Sequence, residues 1–94
     1  MIYRIYTENK NKDALLKAID RYGYPPGYTL FEGEGRYQLN DKSYSEPSLV
    51  FEYIGNSEKA DDFRVRNLAA FIKRYNNQQE VWIVKIQESE RIVV

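Results

Sequence analysis

The chain has neither cysteine nor histidine among its 94 residues. Without cysteine there is no disulfide framework, no thiol nucleophile and no sulfur ligand for a metal. Without histidine the chain lacks the usual general base near neutral pH and the commonest metal ligand. These absences exclude catalytic triads, zinc hydrolases and histidine-based two-metal sites. Carboxylates, lysines and tyrosines remain for acid–base chemistry, and we expect neither a metal nor a cofactor.

The chain also lacks an excess of charge and any long apolar run. Fourteen basic and fourteen acidic residues cancel, which argues against the broad positive surface that binds duplex nucleic acid. No apolar stretch approaches the roughly 20 residues of a membrane helix, and the N-terminus predicts a strand rather than a signal peptide. We therefore expect a cytoplasmic protein with no duplex nucleic acid and no membrane as partner. A compact basic pocket is still allowed.

The first half of the chain predicts a strand, a helix and a second strand. Residues 2–7 are rich in Ile and Tyr, as strands are. Asn11 can cap a helix that begins at the next residue, and Gly23 ends it. A proline-containing connector follows, and residues 28–39 predict the second strand.

The second half repeats this pattern and completes the fold. The predicted elements are a turn at 40–43, a strand at 48–54, a helix capped by Asn56 or Ser57 and running to about Tyr75, a strand at 81–86 and a short edge at 91–94. The order is β-α-β-β-α-β within one domain of residues 1–94. It predicts an α+β, ferredoxin-like split β-α-β sandwich, an antiparallel sheet with two helices on one face.

One face of that sheet is predicted to carry large apolar side chains without a helix to cover them. Alternation along the first strand turns Tyr3 and Ile5 toward the helices. The side chains assigned to the outer face are Ile2, Arg4, Tyr6, Val50, Glu52, Ile54, Val81, Ile83 and Lys85. Exposed mixtures of this kind indicate self-association, so we expect a homo-oligomer, a dimer or higher.

Two glycines and a proline interrupt the second and third strands. Gly33 and Gly35 either mark a strand bulge or a bend, or let the backbone approach a ligand closely, and the bulge is the commoner cause. They form neither a dinucleotide fingerprint nor a P-loop, because a third glycine and a following helix are missing. Pro47 is interpreted as a break in strand pairing before the third strand.

A pair of arginines has two interpretations. Arg36 lies among tyrosines, and Arg4 is placed on a central strand, so the two could clamp a phosphate while tyrosine stacks on a base. The alternative is an ordinary cross-strand ion pair, with Glu46 or Glu52 as acceptor. The residues leave both interpretations open.

The segment from Gly27 to Tyr53 resembles a family of small, functionally uncharacterised bacterial and phage domains. The matching motifs are Gly-Tyr-Thr-Leu, Gly-Arg-Tyr and Glu-Pro-Ser-Leu-Val. The resemblance implies a ferredoxin-like fold that oligomerises and binds a small ligand at subunit junctions. By motif position and neighbourhood, the candidate ligand-binding residues are Arg4, Tyr24, Tyr28, Thr29, Arg36, Tyr37, Glu46 and Ser48.

Small phage domains of this kind include proteins that capture nucleotide signals of bacterial defence. Tyr, Asn, Lys and Ile are all abundant, as an AT-rich phage or low-GC bacterial genome would give. The hypothesis is a phage-encoded, non-catalytic oligomer in the host cytoplasm that sequesters a small anionic, nucleotide-like ligand. The alternatives are a protein-binding inhibitor of a host enzyme, and a small nucleotide lyase or phosphodiesterase using Tyr and Glu.

Overall fold

The computed structural model describes residues 1–23 and 27–94, so the candidate Tyr24 lies outside the described residues. The elements are β1 (Ile2–Glu8), α1 (Lys12–Tyr22), β2 (Thr29–Leu39), β3 (Lys42–Ile54), α2 (Glu58–Tyr75) and β4 (Trp82–Ile86). The strands form one antiparallel sheet in the order β2-β3-β1-β4. The predicted α+β order and architecture are confirmed.

The signals at both ends of α1 act as predicted. The Asn11 side chain accepts a hydrogen bond from the Ala14 amide at 3.3 Å. Gly23 has a φ of 79°, and its amide donates to the Ile19 carbonyl at 2.9 Å. This left-handed cap is a conformation that costs glycine least.

The core lies between the helices and one face of the sheet. Strands β1 and β3 supply the central positions, because both have a neighbour on each side. The fully buried apolar side chains are Tyr3, Ile5, Leu15, Ile19, Leu49, Phe51, Val65, Leu68 and Ile72. Alternation in β1 and β3 is therefore as predicted, with Arg4, Tyr6 and Val50 on the outer face.

The third strand begins six residues earlier than predicted. Asn40 and Asp41 have φ values of 52° and 63°, the geometry of a two-residue type I′ turn. Lys42 therefore pairs with Leu39 at once, and β2 and β3 form one long hairpin. Beyond Ser48, which pairs with Glu8, this hairpin continues as a two-stranded ribbon.

Pro47 does not break the pairing, contrary to the prediction. It stands opposite Glu34 within the hairpin, and its carbonyl accepts a hydrogen bond from the Asn9 amide at 3.0 Å. Within one strand residue the nitrogen and the carbonyl point to the same side. The missing N–H therefore faces the end of β1, where it removes no bond from the β2 ladder.

The bulge prediction at Gly33 and Gly35 was wrong. Each residue from Thr29 to Leu39 has one partner on β3, in a single unbroken register. A bulge would place two residues opposite one. The glycines therefore need another explanation, which their position in the site supplies.

The assignment of faces in β4 was wrong by one residue. Ile83 stands opposite Ile5 and Lys85 opposite Tyr3, so both belong to the helix side. Lys85 accordingly contacts carboxylates of α2. The outer face of β4 is formed by Trp82, Val84 and Ile86. Residues 91–94, predicted as a short edge, form no strand.

The start of α2 is organised by a buried carboxylate. Asp61 is 2% exposed; it accepts hydrogen bonds from the Ser57 amide at 2.8 Å and the Tyr53 hydroxyl at 2.9 Å. Burial raises the pKa of Asp61, but these bonds outweigh it and the pKa lies below its usual value. A side chain at Gly55 would place its Cβ 2.3 Å from Asp61 Oδ2. Position 55 therefore requires glycine, because any larger residue would clash with this carboxylate.

In the described part of the chain, neither helix combines the length and the apolar character that crossing a membrane would require.

We predict that Asp61→Ala lowers the free energy of unfolding by about 2 to 3 kcal/mol, because the partly buried Tyr53 hydroxyl and the Ser57 amide lose a charged acceptor. Urea denaturation followed by circular dichroism measures this change. Glu90→Ala is the control, since Glu90 is exposed, and its effect is expected within about 0.5 kcal/mol. Equal effects of the two substitutions would contradict the role of Asp61.

Candidate functional site

The outer face of the sheet exposes aromatic and aliphatic side chains from all four strands. Phe31 is 49% exposed and Trp82 is 63% exposed, which is unusual for such large apolar groups. The others exposed on this face are Tyr6, Tyr37, Leu39, Tyr44, Ile54 and Val84. The two helices lie on the opposite face, so this apolar surface is open.

A trough crosses the outer side of the hairpin, and we call it the glycine trough. Its residues are Phe31, Gly33, Gly35 and Tyr37 on β2, with Glu46 and Ser48 opposite the two glycines on β3. A Cβ at Gly33 would lie 3.1 Å from Ser48 Oγ, and one at Gly35 would lie 3.7 Å from Glu46 Cγ. The glycines therefore leave room for these two polar side chains to lie over the backbone.

Glu46 is the unpaired carboxylate of this trough. It is half-buried, and within residues 1–23 and 27–94 it has no hydrogen-bond or ion-pair partner. By contrast, Glu32 pairs with Lys12, and Glu34 accepts from Ser45 on the other side of the hairpin. The trough thus presents a negative charge that is free to meet a ligand.

Tyr37 and Tyr44 stack at the end of the trough. Their ring centroids are 5.2 Å apart and their planes differ by 15°. Together with Arg36, Gln38 and Ser43 they line an open cleft of about 200 Å³. Arg36 lines this cleft next to Tyr37 and Tyr44, although its strand position turns it to the opposite face of the hairpin. The Arg36 side chain is 76% exposed, with Nη1 3.7 Å from Glu34 Oε1.

Arg4 lies far from Arg36 and is engaged elsewhere. Its Nε donates to Glu52 Oε2 at 2.8 Å, and this bond is the first cause of the raised pKa of Arg4. Thr29 stands opposite Glu52 in the same row. Arg36 follows seven residues further along β2, about 23 Å at 3.3 Å per residue, and points to the other face. The ion-pair interpretation holds for Arg4, and the two arginines do not form one phosphate clamp.

Tyr28 is directed toward the core rather than toward the trough. Its ring lies 5.2 Å from that of Phe51, at an angle of 58°. Burial raises the pKa of the Tyr28 hydroxyl, and the nearby Asp20 adds to this effect. Of the predicted residues, the structure brings Thr29, Tyr37, Glu46, Ser48 and Arg4 to one face of the sheet.

Sequence reasoning missed several residues of this surface. Phe31 and Tyr44 belong to it because the Asn40–Asp41 turn sets the register, and alternation counted outward from that turn would have found them. Trp82 was missed because β4 was placed in the opposite phase. No local signal in β4 determines which of its side chains face the helices. The pairing of β4 with β1 determines this.

A second polar cluster lies between α2 and the sheet. The Tyr3 hydroxyl donates to Asp62 Oδ1 at 2.6 Å, and Lys85 Nζ donates to Asp62 Oδ2 at 3.0 Å and to Glu58 Oε1 at 3.1 Å. Burial and the bond to Asp62 raise the pKa of Tyr3. Bonds from Tyr3 and then Lys85 lower the pKa of Asp62. Every charge here has a protein partner, so the cluster attaches α2 to β1 and β4.

Solved structures similar to this chain include two of a phage SAM lyase. One is a phage SAM lyase in complex with S-methyl-5′-thioadenosine, with a TM-score of 0.67 and 19% identity over 87% of this chain and 76% of the other. Another is a phage SAM lyase in the apo state, with a TM-score of 0.63 and 16% identity over 95% of this chain and 91% of the other. At these identities the similarity establishes a shared fold. No protein-family model matches the chain, and no curated protein matches it in sequence.

We predict that stability falls as the pH is lowered from about 5 to 3. Asp61 and Asp62 have lowered pKa values in the folded protein, whereas in the unfolded chain they take up protons near pH 3.9. The unfolded state therefore binds more protons in this range, and acid favours unfolding. Urea midpoints between pH 6 and pH 3 measure the effect.

Tyr3→Phe should make this pH dependence shallower. The substitution removes the largest cause of the lowered pKa of Asp62, so that pKa returns toward its usual value. Tyr37→Phe removes a hydroxyl from an exposed ring and serves as the control. Parallel pH curves for Tyr3→Phe and the unmodified chain would show that the Tyr3–Asp62 bond contributes nothing to the acid response.

Proposed function

We propose that this chain is a phage protein that captures SAM or a related adenosine thioether in the glycine trough, and so removes it from a host defence process. The observation that carries the proposal is the similarity, over most of both chains, to a phage SAM lyase in complex with S-methyl-5′-thioadenosine. The expected location is the cytoplasm of the host.

The trough offers the groups that such a ligand requires. Exposed Phe31 and Tyr37 provide faces on which a purine can stack. Between them, Gly33 and Gly35 carry no side chains, so the Ser48 and Glu46 side chains that lie over their backbone form the floor on which a flat ligand can rest. The Ser48 hydroxyl can hydrogen-bond a ribose hydroxyl.

The charge of the trough favours a cationic or neutral ligand over a phosphate. Glu46 is negative, Arg4 is neutralised by Glu52, and Arg36 is on the other side of the hairpin. The sulfonium group of SAM carries a positive charge, which the Glu46 carboxylate would attract. The proposed ligand is therefore nucleotide-like, as expected from the sequence, but it is cationic or neutral rather than anionic.

Self-association remains part of the proposal. A single chain leaves the trough open to solvent, and a second copy over Phe31, Tyr6 and Trp82 would bury the apolar surface around it. Enclosure of this kind strengthens contacts to a small ligand, because it excludes water. Light scattering after gel filtration determines whether the dimer or higher oligomer exists.

The proposed function is binding of SAM without cleavage, and cleavage of SAM is the second candidate. Cleavage is favoured by the activity of the similar phage SAM lyases, and Tyr and Glu side chains in the trough could serve in it. Incubation of SAM with substoichiometric protein, followed by chromatography of the denatured mixture, separates the two. Intact SAM supports capture, whereas S-methyl-5′-thioadenosine released over many turnovers assigns a lyase.

We predict that Glu46→Gln weakens SAM binding about tenfold, equivalent to 1.4 kcal/mol. Binding of S-methyl-5′-thioadenosine, which lacks the positive sulfonium, should change much less. Isothermal titration calorimetry measures both ligands, with ADP-ribose and a cyclic dinucleotide as phosphate-bearing comparisons. Glu34→Gln is the matched control, because it removes the same charge from the opposite side of the hairpin.

Three results would overturn the assignment to the trough. If neither SAM nor S-methyl-5′-thioadenosine binds, adenosine compounds of this class are not the ligand. Equal losses from Glu46→Gln and Glu34→Gln would reduce the effect to overall charge. Tighter binding of the phosphate-bearing ligands, abolished by Arg36→Ala, would move the site to the cleft beside Tyr37.

A further inference from the structure

The outward side of α2 carries a regular line of side chains, all exposed except the half-buried Ala70, which we call the α2 stripe. Its residues are Lys59, Phe63, Arg66, Ala70 and Lys73, at alternating spacings of four and three. This spacing places them on one line along the helix, opposite the buried face. Phe63 is 66% exposed, although it is a large apolar residue on a helix that is otherwise well packed.

The three cations of the stripe are exposed and without ion-pair partners among the residues that the structure describes. Neighbouring cations behave differently, since Arg64 lies 3.8 Å from Asp61 and Lys85 contacts two carboxylates. Arg66 lies near Asp62 and helps to lower its pKa, but Tyr3 and Lys85 already bind that carboxylate.

The charge of α2 is also uneven along its length. From Arg64 to Gln79 the sequence contains basic residues and no acidic ones. The chain as a whole is neutral, and the part of α2 from Arg64 onward is locally positive because the acidic residues of this helix lie in its first two turns. A locally positive surface attracts and orients an acidic partner.

The arrangement fits an acidic helix better than a nucleic acid. Cations seven residues apart are about 10.5 Å apart along the helix, the spacing that Glu or Asp residues seven apart have on a second helix. Phe63 offers an apolar anchor, and the small Ala70 allows close approach of a facing helix. A nucleic acid is usually bound by a broader set of cations than these three, and the chain as a whole is neutral.

We propose that the α2 stripe docks an acidic amphipathic helix of a partner protein. This surface lies on the face of the sandwich away from the glycine trough, so docking there does not depend on the function proposed for the trough. The chain would then carry two surfaces, one for a small molecule and one for a protein.

The test uses the complete chain and a designed peptide of about three heptads with Glu seven residues apart and Leu facing Phe63. Fluorescence anisotropy measures its binding, with a scrambled peptide of equal composition and a single-stranded oligothymidylate as comparisons. We expect Arg66→Glu and Phe63→Ala each to weaken peptide binding about tenfold. Lys17→Glu, the same charge reversal at an exposed site of α1, should change it less than about twofold.

The outcomes decide the proposal as follows. Selective binding of the designed peptide, lost in Arg66→Glu and Phe63→Ala but kept in Lys17→Glu, supports it. Absence of binding, equal binding of the scrambled peptide or an equal loss in Lys17→Glu overturns it. Tighter binding of the oligothymidylate also overturns it and assigns the stripe to nucleic acid. Circular dichroism of each variant shows whether the fold is kept, and Phe63→Leu provides a milder substitution if Phe63→Ala unfolds.

Discussion

The two-residue turn at Asn40 and Asp41 fixes the register on which both the core and the trough depend. Both residues have positive φ values, which Asn and Asp adopt more readily than other residues with a side chain. The turn pairs Leu39 with Lys42, and each later pair follows from that one. A slip of one residue would turn Phe51 out of the core and Glu46 toward the helices.

Charge pairing distinguishes the two sides of this hairpin. Carboxylates on the helix side have partners from α1 and from the hairpin itself, whereas Glu46 on the outer side has none within the described parts of the chain. The same contrast occurs on α2, where Arg64 lies near the Asp61 carboxylate, whereas Arg66 has no ion-pair partner among residues 1–23 and 27–94. In both places the unpaired charge lies beside an exposed aromatic ring, and both proposals of a binding surface rest on that combination.

Much of the fold was predictable because its signals are local. Asn11 and Gly23 delimit α1, and alternation in β1 turns Tyr3 inward. The errors arose where pairing with another strand decides the outcome. Pro47 is tolerated only because β1 ends beside it, and the phase of β4 follows from β1. The same holds for the candidate site: the motif proposed Glu46 and Ser48, whereas placing Phe31 and Trp82 on the same face required the strand register.

The boundary between the sheet and the ribbon has a consequence for dynamics. Ser48 is the last residue of β3 that pairs with β1, while Glu46 belongs to the ribbon, which has no third strand. An isolated two-stranded ribbon is only marginally stable, so it should open locally, and its amides exchange with solvent, far more often than those of the central sheet. The glycine trough lies across this boundary. A molecule held by both Ser48 and Glu46 would therefore couple the ribbon to the stable part of the fold.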